Sequence, residues 1–366
     1  MTNPDTQNKE GLKTVIIQSV GTANPGIAKA MADAFGINHE LFVRLLYNTP
    51  SVFLENAEEA VAEKTTGLLV QLGLEVVCQD AGAPLPEKTE PVDIAVYVTD
   101  PMNLTKVAGQ LATFIGCKES EALQLLLNEP SVVLGGVSFA TAKSLQSRLS
   151  AEVIASNPKT DHYTIEITST DPLLLNQFFT SLKSKGINHD LKKGRMIPDL
   201  SFSLAQEIWS KYSNAAKLNI YNQSYRRYQV QLNQFDLQNE TQKNYLTEQV
   251  GMPEDVLEEI HQNLPVLLDE SLNCNDMLSK LEAYTKAGLR CEAIPVPFGK
   301  YKIAVNNITD KKKVQEIVSQ FYKDTVFLDN VRHWTAPAPL NNVLNRYLEK
   351  QLESIGCEIE HQYSGV

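Results

Sequence analysis

The chain has 366 residues, of which 43% are hydrophobic and 21% charged, and its formal net charge is −11. This is the balance of a globular protein, not of a disordered one, and so large an acidic excess argues against a surface devoted to nucleic acid. No apolar run approaches the roughly 18 residues of a membrane-crossing helix, so membrane insertion is not expected.

Residues 1–12, beginning MTNPDTQNKEG, are polar and lack the basic-then-apolar pattern of a secretory signal. They read as a disordered tail. Module 1 is expected over 13–79. It opens with the alternating strand TVIIQSV at 14–20, and a helix over 25–35 follows, with Pro25 suited to its first turn. Gly36 then ends that helix as a left-handed cap would. A second helix puts Leu41, Phe42, Leu45 and Leu46 on one face, and Pro50 stops it. A third helix reaches Gly73, which opens the closing strand LGLEVVCQ. Residues 80–91, with prolines and several charges, read as an extended linker. The first module is thereby expected to move independently of the other four, which stack.

The same sentence is then written again. GINHELFVRLLYNTPSVFL runs from Gly36 to Leu54, and GCKESEALQLLLNEPSVVL from Gly116 to Leu134. Gly36 and Pro50 are 14 positions apart, as are Gly116 and Pro130, and Gly251 and Pro265. Pro50 to Gly73 is 23 positions, and Pro265 to Gly288 is 23 again. Internal periodicity of this kind signals a repeated supersecondary unit. Module 2 is expected over 92–156, with strand DIAVYVT and Ser138 as the N-cap of a helix over ATAKSLQSRL. Module 3, over 162–226, opens with HYTIEIT; Gly186 and Pro198 are only 12 apart, so its second helix is expected to be short. Module 4, over 227–295, opens with YQVQLNQ. Module 5, over 300–366, opens with YKIAVNN and has DNVRHWTAPAPL at its centre, so it too is degenerate. The fold class is therefore α+β: about five tandem β-α-α-β-α-β modules, each a small antiparallel sheet covered by helices.

These spacings carry a resemblance. From Val15 to Gln79 the first module resembles, without gaps, the C-terminal domain of the bacterial ribosomal stalk protein, with Gly36, Pro50 and Gly73 at matching places. The GVS at 136–138 of module 2 is similar to that family as well. The resemblance implies the module fold and a bacterial protein. In that family lysines and an arginine on the first two helices recruit translation GTPases. Here Lys29 falls on one such position; Asn24, Ala32 and Val43 occupy others, with Arg44 beside Val43. A translation-associated role is therefore one reading that the resemblance offers. The Clp protease adaptor uses the same fold, and NNITD at 306–310 resembles its acidic loop, but no histidine matches on the second helix of that module.

Charge divides the modules. Residues 162–228 carry nine Lys and Arg against five Asp and Glu, whereas 229–294 carry four against twelve. Lys185, Lys192, Lys193 and Arg195 make the third module basic, and Glu254, Asp255, Glu258 and Glu259 make the fourth acidic, with Asp269 and Glu270 close by in sequence. Such patches are either solvated faces or partner surfaces. With Lys29 and Arg44, these ten residues are the candidate partner-binding set.

No catalytic residue, cofactor or metal is indicated. None of the six histidines has a His or Cys at i+3 or i+4, and no nucleophile elbow, Walker loop or dinucleotide fingerprint occurs. His261 takes an apolar position of the repeat and is expected to be partly buried. The five scattered cysteines fit free thiols in a reducing cytoplasm, with Cys291 and Cys357 filling cores. Trp334 is either a binding anchor or packing over the degenerate module. The expected function is non-enzymatic: a multivalent scaffold within, or adaptor to, a larger assembly, with protein partners and no evident small-molecule substrate. Delivery of peptides to a protease is the alternative.

Overall fold

The computed structural model describes residues 11–23, 28–87, 89–187, 189, 195–216, 218–323 and 332–365. Module 1 consists of β1 (Leu12–Ser19), α1 (Ala28–Phe35), α2 (His39–Tyr47), β2 (Ser51–Glu58), α3 (Glu59–Gln71) and β3 (Glu75–Asp80). Its first strand is the central one: β1 pairs antiparallel with β2 on one side and β3 on the other. Alternation then decides the faces. Val15 and Ile17 point into a core with Phe42, Leu46, Phe53 and Leu69, all at most 8% exposed. Each such side chain contributes about 1.5–3 kcal/mol on burial.

The pattern recurs. Module 2 contains β4 (Val92–Tyr97), a tight turn at Pro101–Asn103, α4 (Leu104–Ile115), α5 (Glu119–Leu127), β5 (Val132–Val137), α6 (Phe139–Gln146) and β6 (Glu152–Ser156), with sheet order β5-β4-β6. Module 3 contains β7 (His162–Ile167), α7 (Pro172–Ser184), β8 (Met196–Ser201), α8 (Phe202–Ala216) and β9 (Leu218–Asn222), in order β8-β7-β9. Module 4 contains β10 (Tyr228–Gln234), α9 (Glu240–Asn244) continued by a π-helical turn at Tyr245–Gln249, a 3-10 turn at Glu254–Val256, α10 (Leu257–Gln262), β11 (Val266–Leu272), α11 (Cys274–Lys286) and β12 (Arg290–Pro295), in order β11-β10-β12. In module 5, β13 (Lys300–Asn306) is followed by α12 (Lys311–Ser319), two short strands β14 (Trp334–Thr335) and β15 (Leu340–Asn341), α13 (Asn342–Glu353) and β16 (Glu358–Gly365); β13 pairs with all three other strands.

One backbone feature marks the repeat more sharply than the sequence does. The second strand of each of the first four modules bulges at a residue of positive φ: Asn56 (55°), Gly136 (65°), Asp199 (59°) and Ser271 (55°). Gly, Asn and Asp tolerate this region best, and the pairing register shifts beside each bulge. Asn56, Gly136 and Ser271 each lie six residues after the proline that follows the second helix, and the bonds preceding Pro50, Pro130 and Pro265 are all cis. Asp199 shows that Pro198 is not the counterpart of those prolines: it lies inside β8, beside the bulge. The 12-residue spacing from Gly186 therefore does not measure a shortened helix. The stretch where that helix was expected, 188 and 190–194, lies outside the described residues.

The modules fall into two compact units. One joins the residues up to Asn157 with those from Gly299 onward, and so contains modules 1, 2 and 5; the other, Pro158–Phe298, contains modules 3 and 4. In the second unit the Tyr221 ring of module 3 meets Phe298, on the chain leaving module 4, at a centroid distance of 4.9 Å.

The expectation that module 1 stands apart from the rest is corrected in the first unit. Thr14 and Ile16 lie on the outer face of β1, yet are 2% and 0% exposed. Helix α6 of module 2 packs beside β1, and the Ser19 and Ser144 hydroxyls meet at 3.0 Å. Arg148 donates to the carbonyls of Gly21 and Ala23, its guanidinium lying over the Phe114 ring. Tyr47 belongs to the core of module 2: its hydroxyl donates to Phe114 O (3.3 Å), and its own carbonyl accepts from Ser138 N (2.9 Å) and Thr141 Oγ1 (2.8 Å). Gly21 and Gly73 meet so closely at this end that a Cβ on Gly21 would lie 2.3 Å from Gly73 O. A second joint has the same plan. Helix α13 of module 5 places Val343 in the core of module 2, and Arg346 donates to Val98 O (2.9 Å) and Thr99 O (3.3 Å) while stacking on Tyr97.

Candidate functional site

The local sequence of α2 divides its side chains. Asn38 caps it, accepting from Glu40 N (2.8 Å), and Phe42 and Leu46 turn into the core at 0% and 2% exposure. Leu41, at 51% exposure, and Arg44 remain outside. Ser51 Oγ donates back to Leu45 O (2.8 Å), fixing the chain as it leaves the helix for β2.

These residues form one wall of a groove of about 1130 Å³. The other walls are Leu85, Pro86, Thr89 and Pro91 of the segment between modules 1 and 2, and Leu134–Ser138 around β5. Strand β5 is an edge of its sheet. Its paired glycines carry no side chain over the groove, and Asp93 Oδ1 accepts from Gly136 N (2.8 Å) to hold the bulge.

Two features of the lining are unusual. Among its described residues Arg44 is the one charged side chain, and it makes no ion pair with any of them. Thr49 lines the groove, is 0% exposed, and its hydroxyl has no hydrogen-bond partner. A buried hydroxyl left unsatisfied costs roughly 1–3 kcal/mol.

The equivalent place in module 2 is filled differently. Glu129 precedes Pro130 as Thr49 precedes Pro50, and there Glu129 Oε2 accepts from the backbone N–H of Gly299, on the chain entering β13 (3.4 Å). Burial pushes the Glu129 carboxyl up to about 7, against the opposing pull of the Gly299 N–H and Arg346.

The candidate residues that are described do not converge, and of these Arg44 alone lines the groove. Lys29 lies on α1, but its side chain is outside the described residues, as are Lys192 and Lys193 entirely. Lys185 pairs with Glu207, and Arg195 donates to Ser169 O (3.0 Å), so both have local partners. Glu254, Asp255, Glu258 and Glu259 are all exposed on the 3-10 turn and α10, and none makes an ion pair among the described residues.

Asp269 does not extend that acidic face. Its side chain is only 15% exposed, bonds to Lys280 (3.1 Å) and accepts from Tyr284 Oη. His261 is exposed rather than partly buried, with its ring edge-on to Phe235. Trp334 packs edge-on against Tyr322, covering the degenerate centre of module 5. Cys357 is buried and Cys291 half-buried, where burial lifts its thiol to about 11.

Among the described residues no group of three or more His, Cys, Asp or Glu could hold a metal ion, and no helix is long and apolar enough to cross a membrane. No family model matches the chain, and neither a curated protein nor a solved structure matches it. Sequence reasoning missed Thr49, Leu85 and Gly135. The only signal was positional: Thr49 occupies the pre-proline place that Glu129 and Leu264 hold in modules 2 and 4.

Proposed function

We propose that this chain is a non-enzymatic, multivalent protein-binding scaffold of the cytoplasm, built from modules that resemble the ribosomal stalk domain and belonging to, or adapting, a larger assembly. The observation that carries this reading is one α+β scaffold written five times with different outward faces. Module 1 offers Arg44 beside exposed Leu41; module 4 offers Glu254, Asp255, Glu258 and Glu259 without ion-pair partners among the described residues. Linked surfaces of this kind raise avidity without any one of them binding tightly, and unlike charges on a common frame select different partners or different patches of one partner.

The test is capture from native extract by the tagged full-length chain, followed by repetition with the acidic face neutralised. Recovery of a reproducible set of complex subunits, part of it lost with the acidic face, is the expected result. Recovery of nothing above a tag-only control overturns the reading. A Clp-type chaperone in the captured set would move it to protease adaptor, and translation GTPases to a translation-associated factor.

A further inference from the structure

We infer that the groove between α2, β5 and the wall formed by Leu85, Pro86, Thr89 and Pro91 is a docking site for an extended, apolar peptide segment of a partner that carries an acidic side chain for Arg44. The inference deepens the scaffold reading and rests on it.

Two independent observations support an extended acidic segment. The first is charge. The described lining is apolar apart from small polar groups, and among the described residues Arg44 is its single charge and has no ion pair. A carboxylate matches guanidinium geometry in a two-pronged contact.

The second is shape. Edge strand β5 and the exposed side chains of Leu41 and Leu85, at 51% and 49%, flank the groove, as suits an extended chain with alternate apolar residues.

The experiment uses the full-length chain immobilised as bait for a phage-displayed library of random linear peptides, with Arg44→Glu as the counter-selection bait. Peptides retained by the wild type and lost on Arg44→Glu should carry Asp or Glu between apolar residues. A fluorescein-labelled copy of an enriched peptide should bind the wild type by anisotropy, and Arg44→Glu should weaken it about tenfold or more. The same peptide with its acid changed to Lys should bind Arg44→Glu better than the wild type.

Enrichment of basic or charge-indifferent peptides, or of none that distinguishes the two baits, overturns the proposal. So does self-association of the wild type that Arg44→Glu abolishes, because the occupant is then a second copy. Extract partners that Arg44→Glu retains in full sink the groove and leave the scaffold; a wild-type chain that captures nothing sinks the scaffold reading itself.

Discussion

Arg148 and Arg346 make the same contact one joint apart. Each stacks on an aromatic ring of module 2, Phe114 or Tyr97, and each donates to two main-chain carbonyls that follow the first strand of a module: Gly21 and Ala23 in one case, Val98 and Thr99 in the other. Hydrogen bonds from a charged donor are worth roughly 1.5–3 kcal/mol. Arg148→Met or Arg346→Met should therefore each lower unfolding stability by about that amount in urea titration. A loss within error at both positions would mean that the joints are held by apolar packing alone.

Tyr47 gives a graded test of the first joint. Tyr47→Phe removes only the bond to Phe114 O, about 0.5–1.5 kcal/mol. Tyr47→Ala empties a site in the core of module 2 and should cost about 3–5 kcal/mol. Equal losses for the two substitutions in denaturant titration would contradict the placement of this ring.

Glu129 predicts a pH dependence of definite sign. Its folded carboxyl, at about 7, lies above the ordinary glutamate value of 4.5. The folded chain thus holds a proton that the unfolded chain releases. This stabilisation is complete below pH 4.5 and is lost as pH rises through 7, amounting to at most about 3 kcal/mol. Glu129→Gln should remove that component, so that thermal stability between pH 5 and 8 varies less in the variant than in the wild type. An identical pH profile in both proteins would refute it.

Replacing Glu254, Asp255, Glu258 and Glu259 together by Gln should leave the melting temperature nearly unchanged, because exposed charges contribute roughly half a kcal/mol or less each. Binding of a basic partner should weaken and lose its salt dependence. Unfolding of the variant would show the face to be structural.

The segment 80–91 should be the first internal site cut in limited proteolysis, since its described residues form no helix and, beyond β3, no strand. The two products should nevertheless elute together, because Tyr47, Ile16 and Arg148 hold module 1 on module 2. Separate elution would restore an independently moving first module.

The module was legible wherever local chemistry fixes it. Alternation in TVIIQSV and DIAVYVT identified the central strands, and Gly36, Gly116 and Gly251 have the positive φ that their spacing implied. What stayed hidden depends on neighbours from other modules. Ile16 looks like any residue on the open face of a strand, and Tyr47 like the last turn of a helix; only the packing of α6 and the Phe114 carbonyl give them their roles. Pro198 was misaligned because a proline in sequence does not reveal whether it ends a helix or sits beside a bulge. Asp269 read as part of an acidic run because the Tyr284 hydroxyl and the Lys280 ammonium that take it inward come from a later helix. Within the groove, Arg44 could be found by its charge, whereas nothing in the letter T at 49 says that its hydroxyl has no partner.

The first unit is discontinuous along the chain, and this sets an order of events on the ribosome. Module 2 is complete in sequence at Ser156, but α13, which inserts Val343 and lays Arg346 over Tyr97, begins only at Asn342. During synthesis module 2 therefore waits, with Tyr97 uncovered and Glu129 not yet met by Gly299, while all of modules 3 and 4 are made. Domains fold largely as they emerge, so the second joint closes only after modules 3 and 4 have been made. A chain halted anywhere short of α13 presents that bare surface to whatever quality-control machinery patrols nascent proteins.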